Sequence, residues 1–319
     1  MYKTFLILRT QKGGMYARKI LRSIQWINEN RKPHYSFITE DLTISEFMEY
    51  PLSEFSAENT VIHPRCAHPD ADWIEQLELA EEMGYKVVNS TETIRLTSDK
   101  LECALRLQDI VPHPKTWEFS KNWSDDVSLD FVNEIWKWAE QNHHYIIAKP
   151  LTSLSQGAHV RKISLDTSGM RIVDQLRRVP GTRIVVQEFF PYTMMHRVIV
   201  IDGRALPYTF VDKVEWHQPG DWKVSCCLNT TTMKINENPD SRVLRIAERT
   251  QSAVNGVINF IDIFECDDYR PLTTERFSIS EINTACSLRI HERLAREAGR
   301  SDWNIHAAIA RQLVRSAGV

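Results

Sequence analysis

The first ninety residues alternate short apolar runs with stretches of helical periodicity, and this rhythm confines the start of the chain to α/β layering. Apolar residues recurring every second position read as strands, and those recurring every third or fourth as helices. On that basis strands are expected at Thr4–Leu8, Tyr35–Thr39, Thr60–His63 and Lys86–Val88, with helices at Met15–Asn28 and Asp70–Met83. Gly84 suits the residue just past the second helix, where a left-handed backbone is common. Alternating strands and helices build a small layer around a largely parallel sheet.

A second unit begins near Asn89, with a helix starting about Ser98 and capped by Ser98 and Asp99. The run Ile110-Val111-Pro112-His113-Pro114 breaks it. There follow a polar helix carrying Trp136 and Trp138, strand Tyr145–Lys149, a loop from Leu151 to Ala158, strand His159–Ile163, a helix over Met170–Arg178 and strand Arg183–Glu188. Beyond that the pattern turns antiparallel. Strands Arg197–Ile201 and Ala205–Val211 flank Asp202-Gly203, a two-residue hairpin turn that needs positive φ. An amphipathic helix over Asp240–Val254, strand Ile258–Phe264, the strand FSISEIN and two terminal helices complete the chain.

At 319 residues the chain exceeds one ordinary core, and its divisions fall at 1–89, 90–186 and 187–319. Lys and Arg number 39 against 42 Asp and Glu, a net charge of −3 that argues against a nucleic acid as main partner. Basic groups at Arg171, Arg177, Arg178 and Arg183, and from Arg289 to Arg315, sit in helical patterns and read as solvated faces. Six cysteines without CxxC spacing, and no secretory leader, point to reduced thiols in the cytoplasm. No apolar run is long enough for a membrane span. His63, Cys66 and His68 cluster in HPRCAHPD, but two prolines and the lack of a distant ligand pair favour a loop over zinc.

Several charged residues fall at strand ends. In FSISEIN, alternation sends Ser280 and Ile282 to one face and Glu281 and Asn283 to the other. Two oxygen donors about 7 Å apart on a rigid strand suit Mg²⁺, which shares hard oxygen ligands with nucleotide phosphates. A solvated strand face would look the same. Lys149 closes the apolar run Tyr145-Ile146-Ile147-Ala148, an unusual place for an ammonium group. The loop LTSLSQGAH after it could fold backbone N–H groups over phosphates, although Gly157 is its one glycine. Gln187 and Glu188 end a β-rich run before two phenylalanines. Arg197, in HRVIVID, offers a planar fork to a transferring phosphoryl group or to solvent, and Asp262 interrupts an apolar strand.

Taken in order, these landmarks resemble the ATP-grasp superfamily, and within it the RimK and glutathione synthetase-like carboxylate-amine ligases. VVNSTETIRLTSDKLECALRLQDIVPHPKTWEF, YIIAKPL, VVQEFF, HRVIVIDG and the pair IDIF and SISEIN are similar to that family's successive segments across roughly residues 60 to 290. The resemblance implies an α/β chain, α+β in its ATP-binding lobes, with a small parallel α/β domain before an ATP-grasp fold. It assigns Lys100 and Lys149 to the ATP phosphates, Gln187 and Glu188 to the adenine hinge, and Gly157 and Asn229 to the phosphates. Arg197 takes the transferring phosphoryl group, with Lys213 as a second catalytic candidate, and Asp262, Glu281 and Asn283 hold two Mg²⁺ ions.

The implied reaction is ATP-dependent ligation of a carboxylate to an amine, on amino acids or peptides, through an acyl phosphate. The implied partners are small molecules or peptides, with no nucleic acid and no membrane, and relatives of this kind often form homo-oligomers. The segment Lys213–Asn229, with Trp216, His217, Trp222 and Lys223, reads either as an acceptor contact or as a hairpin packed by tryptophans. Departures from the family pattern are the glycine-poor loop, His196 before the arginine, and Thr284-Ala285-Cys286 after the metal strand. The long interval between Asp262 and Glu281 also holds the rival acids Glu265, Asp267 and Asp268. A kinase on the same scaffold and a nucleotide-binding module without catalysis remain alternatives.

Overall fold

A computed structural model describes residues 2–9, 15–30, 36–54, 56–65, 71–139, 144–151, 159–213, 232–266, 275–286, 288–300 and 303–319. Three sheets carry the fold. The first takes strands β1 (Tyr2–Arg9), β2 (Ser36–Thr43), β3 (Thr60–Arg65) and β4 (Lys86–Val87) in the order β2-β1-β3-β4, all parallel. β1 is buried on both faces, as its unbroken apolar run requires. Helix α1 (Met15–Glu29) buries Ala17, Ile20, Leu21 and Ile24, its three-and-four stripe. β2 runs four residues past its expected end, because Asp41 is paired with Arg9 and Glu40 accepts from Tyr50. Thr43 then caps the short helix α2 (Ile44–Met48) through a reciprocal box with Glu46. Helix α3 (Ala71–Glu82) ends at Gly84, whose φ is +91°.

Where one helix was expected there are two. Ser90 caps α4 (Thr91–Ser98), and Asp99 alone caps α5 (Lys100–Leu107) by accepting from the N–H groups of Leu101 and Glu102. Ser98 is the last residue of α4, not a cap. The three threonines of TETIRLTS hid this helix from propensity, but Thr97 and Ser98 turn their hydroxyls back onto helix carbonyls.

The second sheet is antiparallel, in the order β5-β8-β6-β7, with β5 at Thr116–Ser120, β6 at Tyr145–Pro150, β7 at Arg161–Ser164 and β8 at Arg183–Glu188. One face is a core that holds Phe119, Ile146, Ala148, Ile163 and Val186 under helices α6 (Asp125–Ala139) and α7 (Gly169–Arg177). Alternation therefore turns Ile147, Lys149, Lys162 and Gln187 to the other face.

The third sheet runs β12-β11-β9-β13-β14, with β9 at Met194–Ile201, β11 at Thr209–Lys213, β12 at Lys234–Asn236, β13 at Ile258–Glu265 and β14 at Phe277–Asn283. Asp202 and Gly203 make the expected turn at φ 54° and 75°. The strand expected over Ala205–Val211 is split at Leu206-Pro207-Tyr208 into β10 (Arg204–Ala205) and β11, since proline supplies no ladder donor. Cys103 and Leu107 of α5 and Val243 and Ala247 of α8 (Ser241–Ala253) pack on Val198, Val200, Ile261 and Ile263. On the opposite face Met195, Ile199 and Phe260 share a core with α1 and the terminal helices α9 (Arg289–Glu297) and α10 (Ile305–Ser316). Asn89 joins the first unit to this sheet: its Nδ2 donates to Ile258 O at 2.8 Å and its Oδ1 accepts from Val257 and Ile258 N–H. Among the described residues no helix is long and apolar enough to cross a membrane.

His63 and His306 are both buried, and desolvation pushes each imidazole down to about 4. Each stays neutral in the folded chain at pH 5 yet would bind a proton near about 6.5 when unfolded. Stability from these groups is therefore full above about pH 6.5 and falls as pH drops toward about 4. Urea unfolding at pH 7 and pH 5 should show this loss, and His63→Gln should reduce it.

Candidate active site

The site is built on a row across three strands. Arg197 on β9 pairs in register with Asp262 on β13, which pairs with Glu281 on β14, so the three side chains share one face of the antiparallel sheet. Arg197 donates to both Asp262 oxygens at 2.7 Å, a bidentate pair. Asp262 is 1% exposed. Burial pushes its carboxyl up while the guanidinium opposes it, and Asp262 holds Arg197 above its ordinary range against the cost of burial. Arg197 thus lies mid-strand, not at a strand opening.

β14 is the edge of this sheet. A register shift between Asp262 and Ile263 leaves Ser280 as an extra residue on β14. Simple alternation would point Ser280 away from Glu281, but the bulge brings both to the cleft that faces the second sheet. Asn283 lies two residues beyond Glu281 and is half-buried.

Across the cleft stand both lysines. Lys149 ends β6 on the open face of the second sheet, and the N–H of Lys100 at the start of α5 donates to Leu151 O at 3.1 Å. That bond ties the first lysine to the strand bearing the second. Lys100 Nζ lies 3.8 Å from Glu281 Oε1. Lys100, Lys149, Gln187, Ser280 and Glu281 line one cavity, closed behind by Cys103 and His113. Burial drives the Cys103 thiol up to about 12 and the His113 imidazole down to about 4, so both are neutral at pH 7. His113 Nδ1 donates to Pro114 O at 2.9 Å.

An adjoining slot shares Lys149, Gln187, Ile279 and Ser280 and is largely apolar, with Ile147, Val160, Phe189 and Phe190 among its walls and Glu188 as a further charged residue. The Gln187 amide donates to Thr116 Oγ1 at 2.8 Å, and the Glu188 N–H donates to Lys115 O, so the strand end at the slot is tied to β5. Apolar walls of this kind suit a flat ring. Glu281 and Asn283 are oxygen donors fit for Mg²⁺, and the remainder of that ion's shell would come from phosphate and water. Among the described residues no group of three His, Cys, Asp or Glu side chains forms a metal cage.

Asp262, expected as a metal ligand, accepts one bond from Arg197 on each oxygen. Other expectations are corrected. Glu265 is no rival, because register places it on the opposite face, where it accepts from His196 Nε2 at 2.7 Å and from Arg276. That pairing, His196 foremost, holds its carboxyl below the usual range and gives His196 a structural role. Lys213 is exposed at the end of β11 opposite Met194, on the face away from Arg197, and does not join the cluster. Gly157, Asn229, Asp267, Asp268, the tryptophans and His217 of the 214–231 segment, Cys66 and His68 lie outside the described residues. His63 belongs to β3, where Nδ1 donates to Val88 O at 2.6 Å.

The sequence reading passed over Arg65. Its Nη2 donates to Cys286 O at 2.6 Å, and its charge and that of Arg197 both act on the Cys286 thiol, which burial pushes up to about 11. The available signal was position: Arg65 ends a parallel strand at its C-terminal edge, where open α/β sheets bind ligands.

No protein-family model matches the chain, and no curated protein matches it in sequence. Solved structures do. D-cycloserine synthetase DcsG aligns with a TM-score of 0.67 at 12% identity over 98% of this chain and 99% of that one. The ATP-grasp ligase PsnB in complex with a minimal precursor gives 0.62 at 16% identity over 98% and 100%. A RimK-domain ATP-grasp protein from Sphaerobacter thermophilus gives 0.61 at 13% over 97% and 99%. The chain has the ATP-grasp fold over nearly its whole length.

The Arg197–Asp262 pair makes a stability prediction independent of any reaction. Arg197→Ala strands a buried carboxylate and should cost about 3–5 kcal/mol, whereas Arg197→Met combined with Asp262→Leu should cost far less. Urea unfolding of the two variants distinguishes a buried ion pair from a solvated one, for which both changes would be small.

Proposed function

We propose that this chain, on its ATP-grasp fold, is an ATP-dependent ligase that joins a carboxylate to an amine. The observation that carries the reading is the convergence of Lys100, Lys149 and Glu281 on one cavity beside an apolar slot, with Arg197 in the same strand row as Glu281. Phosphoryl transfer asks chiefly for positioning and neutralisation of spread negative charge. The slot walls of Phe189, Ile147 and Ile279 would seat adenine, and the two ammonium groups would lie along the phosphates. Glu281 and Asn283 would hold Mg²⁺, which neutralises the β- and γ-phosphate oxygens. Asp262 would join them through the lone pairs that Arg197 leaves open.

In this reaction a carboxylate oxygen attacks the γ-phosphorus, the bond to the β-phosphate oxygen breaks, and ADP leaves. The amine then attacks the acyl carbon, loses a proton and expels phosphate, leaving an amide. Arg197 has guanidinium N–H groups beyond the two that bind Asp262 and would face the transferring phosphoryl group. Arg65 would extend that positive edge on the side of Cys286. A closed cavity also protects the acyl phosphate from water. Amino acids and peptides are the proposed substrate class. The PsnB structure, which has the same fold, was solved with a minimal precursor.

Incubation with Mg-ATP and a panel of amines and carboxylates should yield ADP, free phosphate and a new amide in equal amounts. A stable phosphorylated product would establish a kinase instead, and nucleotide binding without ADP formation would establish a silent module. Glu281→Ala should lower substrate-dependent ADP release at least about 100-fold. Unchanged turnover in that variant would remove Glu281 from the metal site.

A further inference from the structure

Away from the nucleotide cleft, α1, α9, α10 and residues Arg300, Trp303 and Asn304 between the last two line a cavity of about 390 Å³. Lys19 and Arg22 of α1 and Arg296 and Arg300 at the end of α9 line it, against Glu292 as the acid of the lining. Glu292 is shared, since Lys19 donates to it and Arg296 lies 3.6 Å away. Arg300 is held from outside by Glu237 at 3.0 Å. Among the described residues four cations therefore meet two carboxylates, and the surplus is positive. The wall is also ordered in advance: the Arg300 guanidinium lies 3.9 Å from the Trp303 ring centre, and that indole stacks on Tyr208 at 3.8 Å.

His306 adds an independent observation. It lines the same cavity, is only 4% exposed, and its Nε2 has no hydrogen-bond partner among the described residues. The ring is fixed by stacking on Tyr16 at 5.5 Å and 12°. Buried polar atoms are nearly always satisfied, so this covered ring nitrogen in the cavity wall gains an acceptor only if the wall opens as a ligand seats. The guanidinium groups that line the cavity, with Nε2 as an N–H donor once uncovered, suit an acceptor with several oxygens and negative charge.

We propose that this cavity is a second ligand site, separate from the nucleotide cleft, for a small molecule bearing a carboxylate or phosphate group. Arg22 and Arg296 would draw the anion in from the exposed rim, Arg300 would hold it over Trp303, and His306 Nε2 would donate to its buried oxygen. Arg65, whose charge reaches both His306 and Cys286, places the cavity within electrostatic range of the Arg197 end of the other site. The site stands whether or not the chain is a ligase.

The test is calorimetric titration of the full chain with inorganic phosphate and, separately, with citrate, the nucleotide cleft being filled with Mg-ADP. At least one anion should bind, and the stronger of the two identifies which oxyanion the cavity prefers. Arg22→Glu with Arg296→Glu alters only exposed side chains and should weaken that binding at least about tenfold without moving the thermal midpoint. His306→Ala should weaken it as well while ADP affinity stays unchanged. The proposal fails if neither anion binds below about 10 mM. It also fails if the double variant binds as the wild type does, or if binding disappears only in Lys149→Ala.

Discussion

A carboxylate buried at the centre of a sheet must have a partner, and here the rest of the site depends on how Asp262 finds one. Arg197 reaches it across the neighbouring strand with two parallel bonds of 2.7 Å. A pair of that kind specifies register more than it adds stability, because a one-residue slip of β9 against β13 would send the guanidinium to the opposite face and strand the acid. With β9 and β13 locked, β14 can add its Glu281 only on the outer side of the same row. The carboxylate proposed for the metal is thus placed by a structural one.

Glu281 gains its surroundings from the edge position of β14. An edge strand leaves one side open, and here that side faces the uncovered face of the second sheet, where Lys149 and Gln187 project. The bulge at Ser280 adds twist and turns two consecutive polar side chains into the gap. Lys100 arrives by a different route, at the start of a helix anchored by Asp99 and by its own N–H bond to Leu151. Two ammonium groups in one cleft repel each other, and Glu281 at 3.8 Å from Lys100 offsets part of that repulsion. A polyphosphate with its metal would complete the neutralisation.

Much of the architecture was legible because burial writes periodicity into sequence. β8 spans the expected residues, β13 runs one residue further, the parallel first sheet follows from the alternation of strands and helices, and the Asp202-Gly203 turn follows from its need for positive φ. Misses arose where tertiary contacts overruled local pattern. α4 forms despite three threonines because α3 and the third sheet cover it, and β5 was passed over although TWEFS alternates cleanly. Pro207 divides a strand that apolar content alone would have kept whole. In the site, residue types pointed to Lys100, Lys149, Gln187, Glu281 and Arg197; the first four line one cavity, and Arg197 stands in the strand row of Glu281. No sequence pattern reports that Asp262 is occupied by Arg197, that Ser280 bulges, or that Glu265 faces the other way, since each depends on register between strands far apart in the chain. The basic cavity at the terminal helices was equally hidden: its arginines read as a solvated face until α10 folds back onto α1.

The central claim is that Glu281 and Asn283 carry the metal that an ATP bound between the two sheets brings with it. The most direct measurement is a crystal structure with Mg²⁺ and a non-hydrolysable ATP analogue. The account predicts the adenine ring between Ile147, Phe189 and Ile279, phosphate oxygens on Lys100 and Lys149, and metal bonded to Glu281 and Asn283 oxygens at about 2.1 Å. A nucleotide seated elsewhere, or a metal that bypasses Glu281, would contradict it.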